Sequence, residues 1–149
     1  MIVSLLYGLI GLFGLYQLFK TKNTFQKVVF GLFVAAAILL LMPYDLSKFG
    51  GFLLSFLGII LITSYGLFKK GLKTQKRVSV LVISFPLLIS LLFAINHYPY
   101  SNIIAYTMLI PIMMYLYIVL TKFKEYKKEF GFISILFIFA LIRLLSLFM

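Results

Sequence analysis

The stretch KKGLKTQKR, Lys69 to Arg77, places five positive charges in nine residues near the middle of an otherwise apolar chain. Cytoplasmic loops of membrane proteins carry an excess of Lys and Arg, so a loop like this one between two apolar runs predicts which side of a membrane it faces. Three long apolar runs lie on each side of it: Met1 to Phe19, Val28 to Pro43 and Gly50 to Phe68 before, and Val78 to Asn96, Ile103 to Leu120 and Phe130 to Met149 after. A helix needs ~20 apolar residues to cross ~30 Å of hydrocarbon, and five of the runs approach that length directly. The second is short, and reaches it if Lys27 snorkels and Tyr44 sits among headgroups. The expected fold is an all-α integral membrane protein: a six-transmembrane-helix bundle forming a single domain over residues 1–149, with three hairpin units as a further option.

Composition agrees. Of 149 residues, 64% are hydrophobic and 11% charged, with a mean hydropathy of +1.16, against ~45–50% apolar and ~25% charged in a soluble domain. The net charge of +11 would suggest nucleic acid in a soluble protein. Here the positives sit in short bends, where orientation accounts for them, so no nucleic-acid partner is expected. Heavy use of Phe, Ile, Leu, Lys and Tyr without Trp suggests an AT-rich bacterial genome, and the expected location is a bacterial cytoplasmic membrane.

The connections alternate. Lys20, Lys22 and Lys27 follow the first run, the central basic loop follows the third, and Lys122, Lys124, Lys127 and Lys128 follow the fifth; only Lys48 falls in the connections after the second and fourth. Odd connections are therefore expected in the cytosol and both termini outside. The first run lacks a preceding basic segment and an A-x-A site, so it reads as a retained helix and not a signal peptide. Tyr16, Tyr65 and Tyr117 precede the basic bends and Tyr44, Tyr98 and Tyr100 mark the other face, as in an aromatic belt. A repeat of about 49 residues aligns Tyr16/Tyr65, Phe19/Phe68, Lys20/Lys69, Gln26/Gln75 and Lys27/Lys76. A restricted membrane alphabet under one topological rule accounts for the same matches.

Small residues mark where helices approach in lipid. Gly8, Gly11 and Gly14 recur along the first helix, Gly51, Ser55 and Gly58 along the third, and Ala35, Ala36 and Ala37 form a smooth patch on the second. Pro86 and Pro111 interrupt the fourth and fifth runs and free carbonyls near residues 82 and 107, for which Ser84, Ser90, Tyr106 and Thr107 are candidate partners. Such kinks serve either as tolerated bends or as a hinge or cavity, as in transporters.

Chemistry has few candidates. Without cysteine, disulfides, thiol nucleophiles and thiolate metal sites are excluded; one histidine and three acids remain for proton transfer, too few for a metal. No cofactor is expected, nor a catalytic motif. Arg143 lies inside the last run, about 20 Å from its inner end, and needs a partner or a wet cavity. Asp45, His97, Tyr44 and Tyr100 share the outer layer with it, either as a binding cluster for a phosphate or carboxylate or as a structural Asp45–Arg143 clamp. Glu125 and Glu129 are expected to pair locally with loop lysines. Lys20, Lys69, Lys70, Lys73, Lys76, Arg77, Lys127 and Lys128 are expected to meet anionic lipid at the cytoplasmic face.

Three functions fit. The first is a non-enzymatic polytopic subunit bound to other membrane protein subunits in an inner-membrane assembly. The others are a small transporter or channel with a cavity near Pro86 and Pro111, and an outer-leaflet lipid-modifying enzyme using Asp45, His97 and Arg143.

Overall fold

In hydrocarbon a segment must satisfy its own backbone N–H and C=O groups, and apolar runs of this length do so as helices. The computed structural model describes residues 2–96 and 101–148, and among the described residues there are helices and turns but no strand. The elements are α1 (Ile2–Lys20), α2 (Thr24–Leu41), α3 (Asp45–Phe68), α4 (Thr74–Ile95), α5 (Ser101–Tyr106), α6 (Leu109–Tyr117) and α7 (Phe130–Leu145), with a π-helical turn at Ile118–Lys122. Helices α1 to α4 and the segment Asn102–Lys122 are five spans long and apolar enough to cross a membrane, while α7 is apolar but only 16 residues long.

Helix ends depart from the apolar runs for local reasons. The Asn23 side chain accepts from the backbone N–H groups of Phe25 (2.9 Å) and Gln26 (3.4 Å), satisfying two donors that a helix N-terminus otherwise orphans. This cap starts α2 at Thr24 and gives the short second run 18 residues. Helix α3 starts at Asp45 and not at Gly50, with a carboxylate in its first turn, where the helix dipole favours negative charge. The fifth run is not one continuous α-helix. The ladder tightens between α5 and α6, with Thr107 N–H donating to Ile104 O and Ile110 N–H to Thr107 O, both at 3.0 Å. Pro111 falls in the first turn of α6, where a missing N–H removes no intrahelical bond. Beyond Leu145 the chain again turns tightly, Leu147 N–H donating to Leu144 O (3.1 Å) and Phe148 N–H to Leu145 O (3.0 Å), so α7 ends at Leu145.

The chain forms two compact units, Met1–Gly58 and Ile59–Met149. In the first, small residues set the spacing. A Cβ on Gly14 would come 2.9 Å from Val34 Cγ2, and one on Gly11 3.4 Å from the Ala37 Cβ. On α3, a Cβ on Gly51 would lie 2.6 Å from Leu40 Cγ and one on Gly58 2.8 Å from Phe33 Cζ. Buried Ala36 and Ala37 lie on α2 among these contacts. Close packing was expected along α1 from Gly8 to Gly14, but it begins at Gly11: a Cβ on Gly8 meets nothing within 4 Å.

The second unit is built around α7, whose Phe132, Ile133, Ile135, Leu136 and Ala140 are buried against α4 and α6. Tyr65 meets Phe132 edge-on at 5.5 Å, and Tyr115 stacks on Phe137 at 4.1 Å. Gly66 lets the end of α3 approach Val80 and Leu81 of α4.

Candidate functional site

Polar side chains gather at both ends of the second unit. At the end carrying the basic bends, the Lys76 ammonium donates to Glu129 at 3.0 Å, with 16% and 3% of the two side chains exposed. The Tyr65 hydroxyl donates to the other Glu129 carboxylate oxygen at 3.5 Å. Lys76 also lies over the Tyr126 ring, 5.5 Å from its centre, and the Tyr126 hydroxyl meets Ser79 Oγ at 2.8 Å. A run of i to i+3 bonds, Tyr126 N–H to Phe123 O and Glu129 N–H to Tyr126 O, turns both side chains inward. The result ties α3, α4 and the bend before α7 together.

This corrects two expectations. Glu129 pairs across 53 residues of sequence and not with lysines of its own loop, and Lys76 is engaged in the interior instead of standing ready for lipid. Local counting missed the site because it considers neighbours three or four residues apart. The available signal was an acid directly before an apolar run, with an aromatic three residues earlier.

At the other end, Arg143 Nε donates to the buried Ser90 Oγ at 2.9 Å and Nη1 to Ser146 Oγ at 3.4 Å. Asp45 belongs to the first unit, where its fully exposed side chain is 3.3 Å from the Lys48 ammonium. Tyr44 is exposed, and Asn96 Nδ2 donates to Leu92 O at 2.8 Å. His97, Tyr98 and Tyr100 lie outside the described residues.

Around the prolines, the carbonyl of residue 107 is occupied by Ile110 N–H, and the Thr107 hydroxyl donates to Ile104 O at 2.6 Å. Helix α4 continues through Pro86. Ser84 Oγ is buried without a hydrogen-bond partner. A groove of about 510 Å³ beside Pro86 is walled by Leu67, Leu81, Val82, Phe85 and Ile110, with Thr63 at its edge; the Thr63 hydroxyl is committed to Ile59 O at 2.8 Å.

Most of the remaining basic residues lie at the surface. Lys20 and Lys69 each fold back over the tyrosine four residues earlier, 5.3 Å from the Tyr16 ring and 5.6 Å from Tyr65, so the aligned Tyr/Lys pairs of the 49-residue period adopt the same local contact. Lys70, Lys73, Lys127 and Lys128 are exposed, and Arg77 Nη2 donates to Lys69 O at 3.4 Å. No group of His, Cys, Asp and Glu suited to a metal occurs among the described residues. No protein-family model, curated protein or solved structure matches the chain.

Proposed function

We propose that this chain is a non-enzymatic membrane subunit that spans a bacterial cytoplasmic membrane six times, with its lysine-rich bends in the cytosol and both termini outside, and works within a larger membrane protein assembly. The sixth span is α7 with the tight turns on either side of it. The observation that carries the subunit reading is the uncovered small-residue notch on α1. Ser4 and Gly8 stand one turn apart in a groove of about 650 Å³ flanked by Leu5, Leu9 and Leu12, and those leucines are 63%, 53% and 69% exposed. Helices in lipid associate through small residues that admit a neighbouring backbone, so this notch suits an apolar transmembrane helix of a partner subunit.

Two features favour this reading over the alternatives. The groove at Pro86 presents hydrocarbon, which does not suit a path for a polar solute. The strongest polar groups, Glu129 and Arg143, are each engaged by side chains of their own unit.

Gly8 provides the test, because its Cβ position is open. Gly8→Ile should leave the chain folded in the membrane while reducing the native particle, extracted in mild detergent, to the mass of this chain alone. A wild-type particle that is already a lone monomer would end the subunit reading, and an unchanged particle in Gly8→Ile would remove α1 as the contact.

A further inference from the structure

We infer that the face formed by the end of α3 with α4 and α6 seats one anionic phospholipid, its two acyl chains on either side of a ridge made by Val82 and Ile110 and its headgroup among Lys70, Lys73 and Arg77. Two grooves adjoin along that ridge. One is the groove at Leu67, Leu81, Phe85 and Pro86; the other, of about 550 Å³, runs along Leu109, Met113, Met114 and Tyr117, and both include Val82 and Ile110 in their walls.

Their length selects the occupant. Leu67 and Leu81 lie beside the basic bend. At 1.5 Å per residue Pro86 is about 13 Å along α4 from Arg77, and Ile110 about 18 Å from Lys122. Half of a ~30 Å hydrocarbon core is about 15 Å, so each groove matches the acyl chain of one leaflet. A partner helix crosses both leaflets and would leave its outer half without a groove here.

Charge selects the headgroup. Lys70 and Lys73 are exposed in the bend three and six residues after the groove residue Leu67. Helix α4 begins there with no side-chain cap and no acid in its first turn, so its N-terminal N–H groups and dipole add to the positive potential. Arg77 Nε is buried without a hydrogen-bond partner. Glu129, the buried acid of this unit, is held by Lys76 and does not neutralise the bend.

The inference rests on the chain lying in a bilayer and is independent of the partner-subunit reading, since it concerns a different face. The full-length chain, delipidated in mild detergent, is incubated with phosphatidylglycerol or with phosphatidylcholine of the same acyl chains and examined by native mass spectrometry. Phosphatidylglycerol should remain as a single adduct under activation that strips phosphatidylcholine. The triple change Lys70→Gln, Lys73→Gln, Arg77→Gln should lower its retention about tenfold or more, and Val82→Trp should reduce both lipids. Lys22→Gln with Lys27→Gln, exposed at the bend between α1 and α2 in the other unit, should change nothing. Circular dichroism and gel filtration identify variants that stay folded. Equal retention of the two lipids, equal loss in the control pair, or full retention in a folded Val82→Trp chain would overturn the site. So would a wild-type chain that takes up neither lipid, the result expected if a partner helix owns the groove.

Discussion

The Lys76 ammonium sits 3.0 Å from the Glu129 carboxylate, and this contact joins the first turn of α4 to the bend that launches α7. Two opposite charges withdrawn from water attract strongly, but each has lost its hydration, so the net gain is small while both are present. Removing one leaves the other buried and uncompensated. Lys76→Met or Glu129→Gln should each lower stability by about 3–5 kcal/mol, and Lys76→Met combined with Glu129→Gln should cost less than the two single changes added together. Reversible unfolding in mixed detergent and SDS micelles measures all three. Strict additivity would mean that the two groups do not act as a pair.

Gly58 lies directly under the Phe33 ring, three of whose carbons fall within 3.1 Å of a Cβ placed there. Phe33 is fully buried, so the ring has little room to retreat, and Gly58→Ala should destabilise by about 1–3 kcal/mol through overpacking. Gly8→Ala, where the space is open, should change the stability of this chain by no more than about 0.5 kcal/mol. The same unfolding assay compares them; equal effects would show that α3 is not held by close approach to α2.

These contrasts mark how far the amino-acid sequence alone carries. Long apolar runs bounded by charge were legible as helices because hydrocarbon permits little else, and α1 through α4 follow them with shifts at the ends. Those shifts came from single side chains, Asn23 as a cap and Asp45 in a first turn, which an average over hydropathy does not register. The break between α5 and α6 was partly readable from Pro111, though it lies at Thr107 and Met108, one turn ahead of the proline. Glu129 and Tyr126 were not legible as interior residues. Their placement depends on which helix end lies beside the bend before α7, and nothing within that bend encodes it. Arg143 was recognisable as needing a partner. Ser90 supplies one from a different helix, and hydroxyls are too common in membrane helices to single out beforehand.

The orientation can be tested directly because the chain has no native cysteine. Leu46, which is 84% exposed, follows the second run, and exposed Thr74 lies in the central basic loop. If the basic bends face the cytosol, Leu46→Cys should react with a membrane-impermeant maleimide in intact cells, and Thr74→Cys only after permeabilisation. Labelling of position 74 from outside would invert the arrangement.

Arg143 provides a test of what a cation inside an apolar helix is for. Its Nε lies 2.9 Å from Ser90 Oγ, and Ser90 is fully buried on α4, so the contact fixes α7 against α4 near the end away from the basic bends. If that is its role, Arg143→Met should cost about 1–3 kcal/mol by leaving the Ser90 hydroxyl without this partner, and Arg143→Met combined with Ser90→Ala should recover part of the loss. Arg143→Lys keeps the charge but not the planar fork that reaches Ser90 and Ser146 together, and should fall between Met and wild type. If Arg143 serves instead to hold an anion at that surface, Ser90→Ala rescues nothing, Lys substitutes well, and adding phosphate raises the unfolding midpoint of wild type but not of Arg143→Met. Unfolding midpoints of the three variants and wild type, with and without phosphate, therefore separate a helix clamp from a binding residue.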